Sequence, residues 1–424
     1  MHSLRGFALT LGVMGIASSC TAPFADVNGP HAARGDMFDS YVAIGNSITA
    51  GYQSGGIIDS TQRRSYAFLL AQSMGTRFVY PSLAGRGCAP LITNFLTQAR
   101  PAGTNAGTCD LRNASSASDI INNLGVPGAW SYDPNANSSV TSNALTTFFL
   151  GGKSQVQRAR DARPTFASIW IGNNDVLGPA STACTTASAA CAVTFSNITS
   201  LAAYSANVDA IIDSLKLTSP NLKGVLIGVV NVSNAPLYFA VTALTGTVKT
   251  AFDAIACGAG TASTTCVAGA TTINANCTTS PGNKALINTM LAFQIRTNAH
   301  PAIISCVQNV PAAPVGDVLV MDSTEQKIVS DAVAGYNGYL STKANTLGWA
   351  YYDPNVDLAT LRTAGTVVRP VPNATGGVFS ATAPFGTGMS LDGVHPNAAV
   401  HLIIANSIIT AINAKYGTTL PAVF

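Results

Sequence analysis

Short apolar runs that alternate with helix-length patterns constrain this chain most. The runs are Tyr41–Ile44, Arg77–Tyr80, Phe166–Ile171, Val225–Val230, Val318–Met321 and Ala350–Tyr352. Helical patterns occupy Gln62–Met74, Leu201–Leu215, Tyr336–Leu347 and Ala398–Tyr416. A continuous apolar run of strand length reads as a strand buried on both faces, as in a parallel sheet. Strands that alternate with helices predict a parallel sheet with helices on both sides, an α/β architecture. At 424 residues the chain is long enough for two domains, but α/β folds often run long. No internal repeat is evident.

Five polar or glycine positions lie in short motifs along this frame. Ser47 sits in Ala43-Ile44-Gly45-Asn46-Ser47-Ile48-Thr49, directly after the first run. Gly128 sits in Asn123-Leu124-Gly125-Val126-Pro127-Gly128-Ala129, and Asn174 in Trp170-Ile171-Gly172-Asn173-Asn174-Asp175. Asp392 and His395 share Asp392-Gly393-Val394-His395-Pro396. A serine at the carboxyl end of a strand lies where open α/β sheets place their ligands. Its hydroxyl is a weak nucleophile and needs a base to take its proton. Of five histidines (His2, His31, His300, His395 and His401), only His395 follows a carboxylate by three residues. One turn can then present Asp392 to one ring nitrogen while the other faces Ser47. Taken singly, each motif has a plainer reading: Gly-Asn-Ser as a turn, Gly-Asn-Asn-Asp as an Asx turn, Asp-Gly-Val-His as a surface loop. Their order, and their places after predicted strands and near the end of the domain, argue for one site. Because they span the first strand to the last helix, they belong to one domain.

The set resembles the SGNH hydrolases, also called GDSL esterases and lipases. The resemblance implies a three-layer α/β/α sandwich with a central parallel sheet of flavodoxin-like type. It implies Ser47 as nucleophile, His395 as base and Asp392 as its partner. It also implies three oxyanion donors: the backbone N–H groups of Ser47 and Gly128 and the side-chain amide of Asn174. Asn46 departs from the family pattern, which has Asp there; Asn keeps the local turn hydrogen bonds but removes a negative charge beside the serine. An α/β-hydrolase is disfavoured, because Gly45-Asn46-Ser47-Ile48-Thr49 lacks the second glycine of that fold's nucleophile elbow. A metal hydrolase is disfavoured because neither His-Glu-x-x-His nor clustered histidines occur. No metal or organic cofactor is expected. The implied activity is hydrolysis of carboxylic esters through an acyl-enzyme. The alternatives are a carbohydrate O-deacetylase of the same fold, or a non-catalytic surface lipoprotein that only binds.

The N-terminus reads as an export signal over 1–20. Arg5 precedes an apolar stretch from Gly6 to Ala17 that is too short to span a bilayer. Ile16-Ala17-Ser18-Ser19-Cys20 resembles a bacterial lipobox, with Cys20 as the lipidated residue; cleavage a few residues later, for example after Ala25, is the alternative. The expected location is the cell envelope as an anchored lipoprotein, or the periplasm or medium if cleavage falls after Cys20. Residues 21–39 read as a linker, 40–416 as the hydrolase domain and 417–424 as a tail. Eight cysteines remain once Cys20 is set aside: Cys88, Cys109, Cys184, Cys191, Cys257, Cys266, Cys277 and Cys306. An even set in irregular stretches reads as a disulfide framework in an oxidising compartment. Local pairing is expected: Cys88–Cys109, Cys184–Cys191, Cys257–Cys266 and Cys277–Cys306.

Charge points to no nucleic-acid partner. The formal net charge is +3, from 22 Lys+Arg and 19 Asp+Glu, with 10% charged residues and no basic stripe or polybasic patch. The expected partner is a small-molecule, lipid or carbohydrate ester, with the membrane reached only through the N-terminal lipid; a monomer is expected. Extra length falls in insertions near 81–120, 176–200 and 235–316. Within the last, Ala235–Ala256 is an apolar stretch too interrupted to cross a membrane. A helix covering the sheet is its expected form, with a lid or substrate wall as the alternative.

Overall fold

The structure is a computed structural model that describes residues 35–110, 120–136, 145–181, 197–257, 271–298, 302–306, 320–369 and 379–424. In chain order the strands among these residues are β1 (Tyr41–Gly45), β2 (Phe166–Trp170), β3 (Lys223–Ile227), β4 (Tyr238–Ala240), β5 (Thr271–Ile273), β6 (Leu286–Asn288), β7 (Ala302–Ile304), β8 (Val320–Met321) and β9 (Ala350–Tyr352). The central sheet has the order β1-β2-β3-β9 and is parallel throughout. Tyr41 pairs with Phe166 and Gly45 with Trp170, so β1 and β2 end level with each other. Every residue of these two strands is buried, as continuous apolar runs require.

The outer edge of β1 is also occupied. Ala43 N–H donates to Asn122 O, Leu124 N–H to Ala43 O, and Val126 N–H to Gly45 O, a parallel pairing. With this segment counted as second in the chain, the spatial order is second, first, third, fourth, fifth, the flavodoxin-like arrangement. The chain first crosses to one side of β1 and then to the other. Right-handed crossovers therefore put the intervening helices on opposite faces. Helix Tyr66–Met74 packs with Ala398–Tyr416, while Leu201–Lys216 packs with Gln155–Ala162 and Ser323–Leu347. This is the three-layer α/β/α sandwich. The switch of direction lies between β1 and β2, and their carboxyl ends are where such sheets bind ligands.

Helix Ala398–Tyr416 shows how the layers hold. Val400, Ile404, Ile408 and Ile412 recur every fourth residue and are buried. Each contributes about 1.5–3 kcal/mol of apolar burial. Asn397 caps the helix through its side chain, and Gly417 ends it in the left-handed conformation. The tail folds back on this helix, with Leu420 N–H bonded to Asn413 Oδ1 and Val423 N–H to Asn406 Oδ1.

Four sequence expectations need correction. Arg77–Tyr80 forms no strand; it lies where Asn122 takes both backbone groups of Val79, with Oδ1 accepting from Val79 N–H and Asn122 N–H donating to Val79 O. Val320–Met321 is a strand outside the central sheet, paired antiparallel with β6 in the small sheet β4-β6-β8. Ala235–Ala256 is not one covering helix. It splits into β4 and helix Gly246–Ala256, which packs on Leu291–Asn298 inside the same insertion. The helix expected at Tyr336–Leu347 begins earlier, at Ser323, because Asp322 and Glu325 form a capping box.

Cys88–Cys109 and Cys277–Cys306 are bonded, as the local-pairing scheme expects. Cys257 is also disulfide-bonded; its expected partner Cys266 and the expected Cys184–Cys191 pair lie outside the described residues, as does Cys20. The first bridge closes an insertion that grips the hairpin at Gln53–Gly56. Ile57 N–H donates to Ala89 O, Cys88 N–H to Ile57 O, and Ile92 N–H to Ser54 O. Reduction is therefore expected to lower activity before far-UV dichroism changes, because this hairpin holds Asp392 and not the sheet. Unreduced, unfolded mature protein should show no free thiol among the eight cysteines, and several free thiols would contradict the full pairing scheme.

Candidate active site

β1 ends at Gly45 against backbone from β2. A Cβ at Gly45 would lie 2.1 Å from Thr49 Oγ1 and 2.6 Å from Trp170 O, so only glycine lets the chain turn there. Asn46 then caps the short helix Ser47–Ala50, its Oδ1 accepting from Ile48 N–H at 3.1 Å. Thr49 Oγ1 is bonded to the Tyr66 hydroxyl at 2.9 Å, which ties the turn to the helix layer. Ser47 is thus presented at the end of β1 by a turn fixed on three sides.

His395 Nε2 lies 2.8 Å from Ser47 Oγ, and His395 Nδ1 lies 2.9 Å from Asp392 Oδ2. With a carboxylate at Nδ1, the neutral ring carries its proton there and leaves Nε2 as an acceptor. The Asp392 carboxylate takes four further donors. Gly55 N–H reaches Oδ2, while Val394 N–H, His395 N–H and the Ser390 hydroxyl reach Oδ1, all at 2.9–3.0 Å. Burial alone would raise the Asp392 pKa, but His395 and these donors hold it well below the usual carboxylate range. Asp392 is therefore ionised wherever histidine titrates.

Two remote segments hold the Asp392–His395 turn. Ser54 N–H donates to Ser390 Oγ, and Leu391 N–H donates to Ser54 Oγ, a reciprocal clasp. From the large insertion, Leu237 N–H donates to Gly393 O at 3.1 Å. Tyr52 packs its ring 5.0 Å from the His395 ring. His401 is no rival base. It is fully buried, its Nδ1 accepts from Tyr66 N–H, and burial followed by the His395 charge pushes its imidazole down to about 3.

Gly128 and Asn174 flank the serine turn. The Val126–Pro127–Gly128–Ala129 stretch is a tight turn, with Ala129 N–H bonded to Val126 O and Gly128 at φ +81°. Proline second and a positive-φ glycine third are the type II pattern. The pairing of Val126 with Gly45 sets this turn beside the end of β1. Asn174 begins near the end of β2, in helix Asn173–Ser181, and its amide donates to Ala129 O at 2.8 Å. An amide nitrogen carries two N–H groups, so this bond leaves one for a ligand. Asn173 Oδ1 meanwhile accepts from Val230 N–H, joining the ends of β2 and β3. The site residues that sequence reading missed are the holders: Ser54, Gly55, Ser390, Tyr52 and Tyr66. Only the Gly55-Gly56 pair signals a turn locally, and nothing near it names a partner more than three hundred residues away.

An apolar cavity of about 70 Å³ adjoins these motifs, with Ile48, Trp170, Val394, Pro396 and Val367 in its wall. Ile48 follows Ser47, and Val394 and Pro396 flank His395.

A family profile described as GDSL-like lipase/acylhydrolase matches residues 41–408. The chain belongs to that family and is a hydrolase of ester bonds. Among solved structures it is similar to an extracellular lipase from Streptomyces rimosus, at 14% identity over 88% of this chain and 98% of that one, with a TM-score of 0.34. It is also similar to phospholipase A1 from Streptomyces albidoflavus NA297, at 16% identity over 91% and 100% of the two chains, with a TM-score of 0.33. No curated protein matches the sequence.

Proposed function

We propose that the chain is an exported serine esterase that works through an acyl-enzyme on Ser47. His395 takes the Ser47 proton as Oγ attacks the ester carbonyl, and returns it to the leaving alcohol. Water then repeats the path on the acyl-enzyme, with His395 again as base. Asp392 holds the imidazole in the required tautomer and stabilises its charged form. The oxyanion that forms is met by the N–H groups of Ser47 and Gly128 and the Asn174 amide. The observation that carries this reading is the unbroken relay from Ser47 Oγ to His395 to the carboxylate of Asp392. Hydrolysis of p-nitrophenyl esters, from acetate to palmitate, tests it. Turnover of at least one chain length is expected, and no turnover of any would overturn the reading.

Asn174→Ala should lower turnover by about 10²–10³, the usual loss for one oxyanion donor. A change confined to KM would instead make Asn174 a residue that binds substrate. Lipidation at Cys20 is part of the same proposal and is supported by the lipobox-like end of the leader. Metabolic labelling with palmitate should mark the wild type and spare Cys20→Ser; equal labelling would remove Cys20 from the account. The catalytic domain is proposed to act as a monomer on a small, lipid or carbohydrate ester.

A further inference from the structure

Arg362 and Arg369 bring two cations to one surface pocket of about 310 Å³, with Phe239, Val367 and Val368 in its wall. Their hydrogen bonds go to neutral oxygens. Arg362 Nη1 donates to Asn234 Oδ1 at 3.0 Å, and Arg369 Nη2 to Ser233 O at 3.2 Å. Among the described residues neither makes an ion pair, in a chain whose other cations often do. The Nε of Arg369 is buried and has no hydrogen-bond partner among the described residues. A buried donor on a charged group is costly to leave unmet. Burial, and then the charge of Arg362, push the Arg369 guanidinium down to about 10, so it stays protonated at neutral pH while facing a like charge. Among the described residues that line it, the pocket holds two guanidinium groups and no carboxylate.

We propose that this pocket is a phosphate-binding site formed by Arg362 and Arg369. Phosphate suits it better than a carboxylate. A phosphate monoester carries about −1.5 to −2 at neutral pH, which matches two guanidinium groups. Its oxygens also accept the paired N–H bonds of the planar guanidinium fork. Phe239, Val367 and Val368 give the anion an apolar flank, which fits an organic phosphate. Val367 also forms part of the wall of the apolar cavity that Ile48, Val394 and Pro396 line. The proposal does not depend on the Ser47 assignment, because its readout is binding.

Calorimetric titration of the whole protein with inorganic phosphate, at ionic strength held constant with sodium chloride, tests it. The expected result is saturable binding of one phosphate, with a rise in Tm. Arg369→Gln and Arg362→Gln should each weaken binding by about tenfold or more, since charge-assisted bonds are the stronger kind. Arg362 is exposed, so its variant should fold even if burial makes Arg369→Gln less stable. Co-sedimentation with vesicles of phosphatidylcholine, with and without phosphatidic acid, separates two sources of phosphate. Acid-dependent pelleting that free phosphate reverses would identify a lipid headgroup. Phosphate binding without pelleting would identify a soluble phosphate. No saturable binding, or equal binding by both folded variants, would overturn the proposal.

Discussion

Ser47→Ala and His395→Ala should each lower ester hydrolysis by about 10⁴-fold or more, with the fold intact. Ser47 Oγ and His395 Nε2 are 2.8 Å apart, so each is of use to the reaction only with the other. The double variant should be little slower than either single one, because residues that act as a unit lose their contribution once. Residual rate should come from the oxyanion donors, which neither substitution touches, since alanine at position 47 keeps the backbone N–H. Steady-state rates on one ester, with dichroism to show folding, check this. Half the wild-type rate in Ser47→Ala would end the nucleophile assignment.

Asp392→Asn should lower turnover by a comparable factor, about 10⁴ in other triads. The reason is local geometry. Oδ2 accepts from Gly55 N–H and His395 Nδ1–H, while Oδ1 accepts from two backbone N–H groups and the Ser390 hydroxyl. An amide in either orientation sets its NH₂ against N–H donors. One orientation forces the imidazole into the wrong tautomer. The other faces two backbone donors at once. Stability follows the same carboxylate. Its pKa in the fold lies below the ordinary value, so its contribution is complete above about pH 4. That contribution is lost as pH falls through the depressed value. Acid unfolding of the wild type should therefore include protonation of Asp392, a contribution the variant lacks. Turnover at one pH and acid melts of wild type and Asp392→Asn check both. An unchanged turnover in the variant would mean that another group orients His395.

The sequence made some features legible because their causes are local. β1 and β2 are short, continuous apolar runs, and burial on both faces of a parallel strand leaves that mark. Asp392 and His395 sit one turn apart, so their contact could be read from spacing alone. The pairs Cys88–Cys109 and Cys277–Cys306 close short loops, and the local scheme found both. Failures came where partners are distant or a pattern is shared. Arg77–Tyr80 has strand composition, but Asn122 satisfies Val79 in place of a neighbouring strand. Val320–Met321 looks like any buried strand, and only the remote β6 decides which sheet it joins. Gly335 and Gly338 hide the early half of Ser323–Leu347, where a capping box at Asp322 was the better signal. The clasp of Ser54 on Ser390 and Leu391 has no sequence signature, since both of its donors are backbone N–H groups.

Covalent trapping is the most direct test that Ser47 is the nucleophile of an acyl-enzyme. Folded protein would be incubated with a fluorophosphonate probe, digested and mapped by mass spectrometry. The adduct should fall on the peptide that contains Ser47, should be absent from Ser47→Ala, and should form far more slowly in His395→Ala. Adduct on a different serine, or equal labelling of Ser47→Ala, would contradict the account.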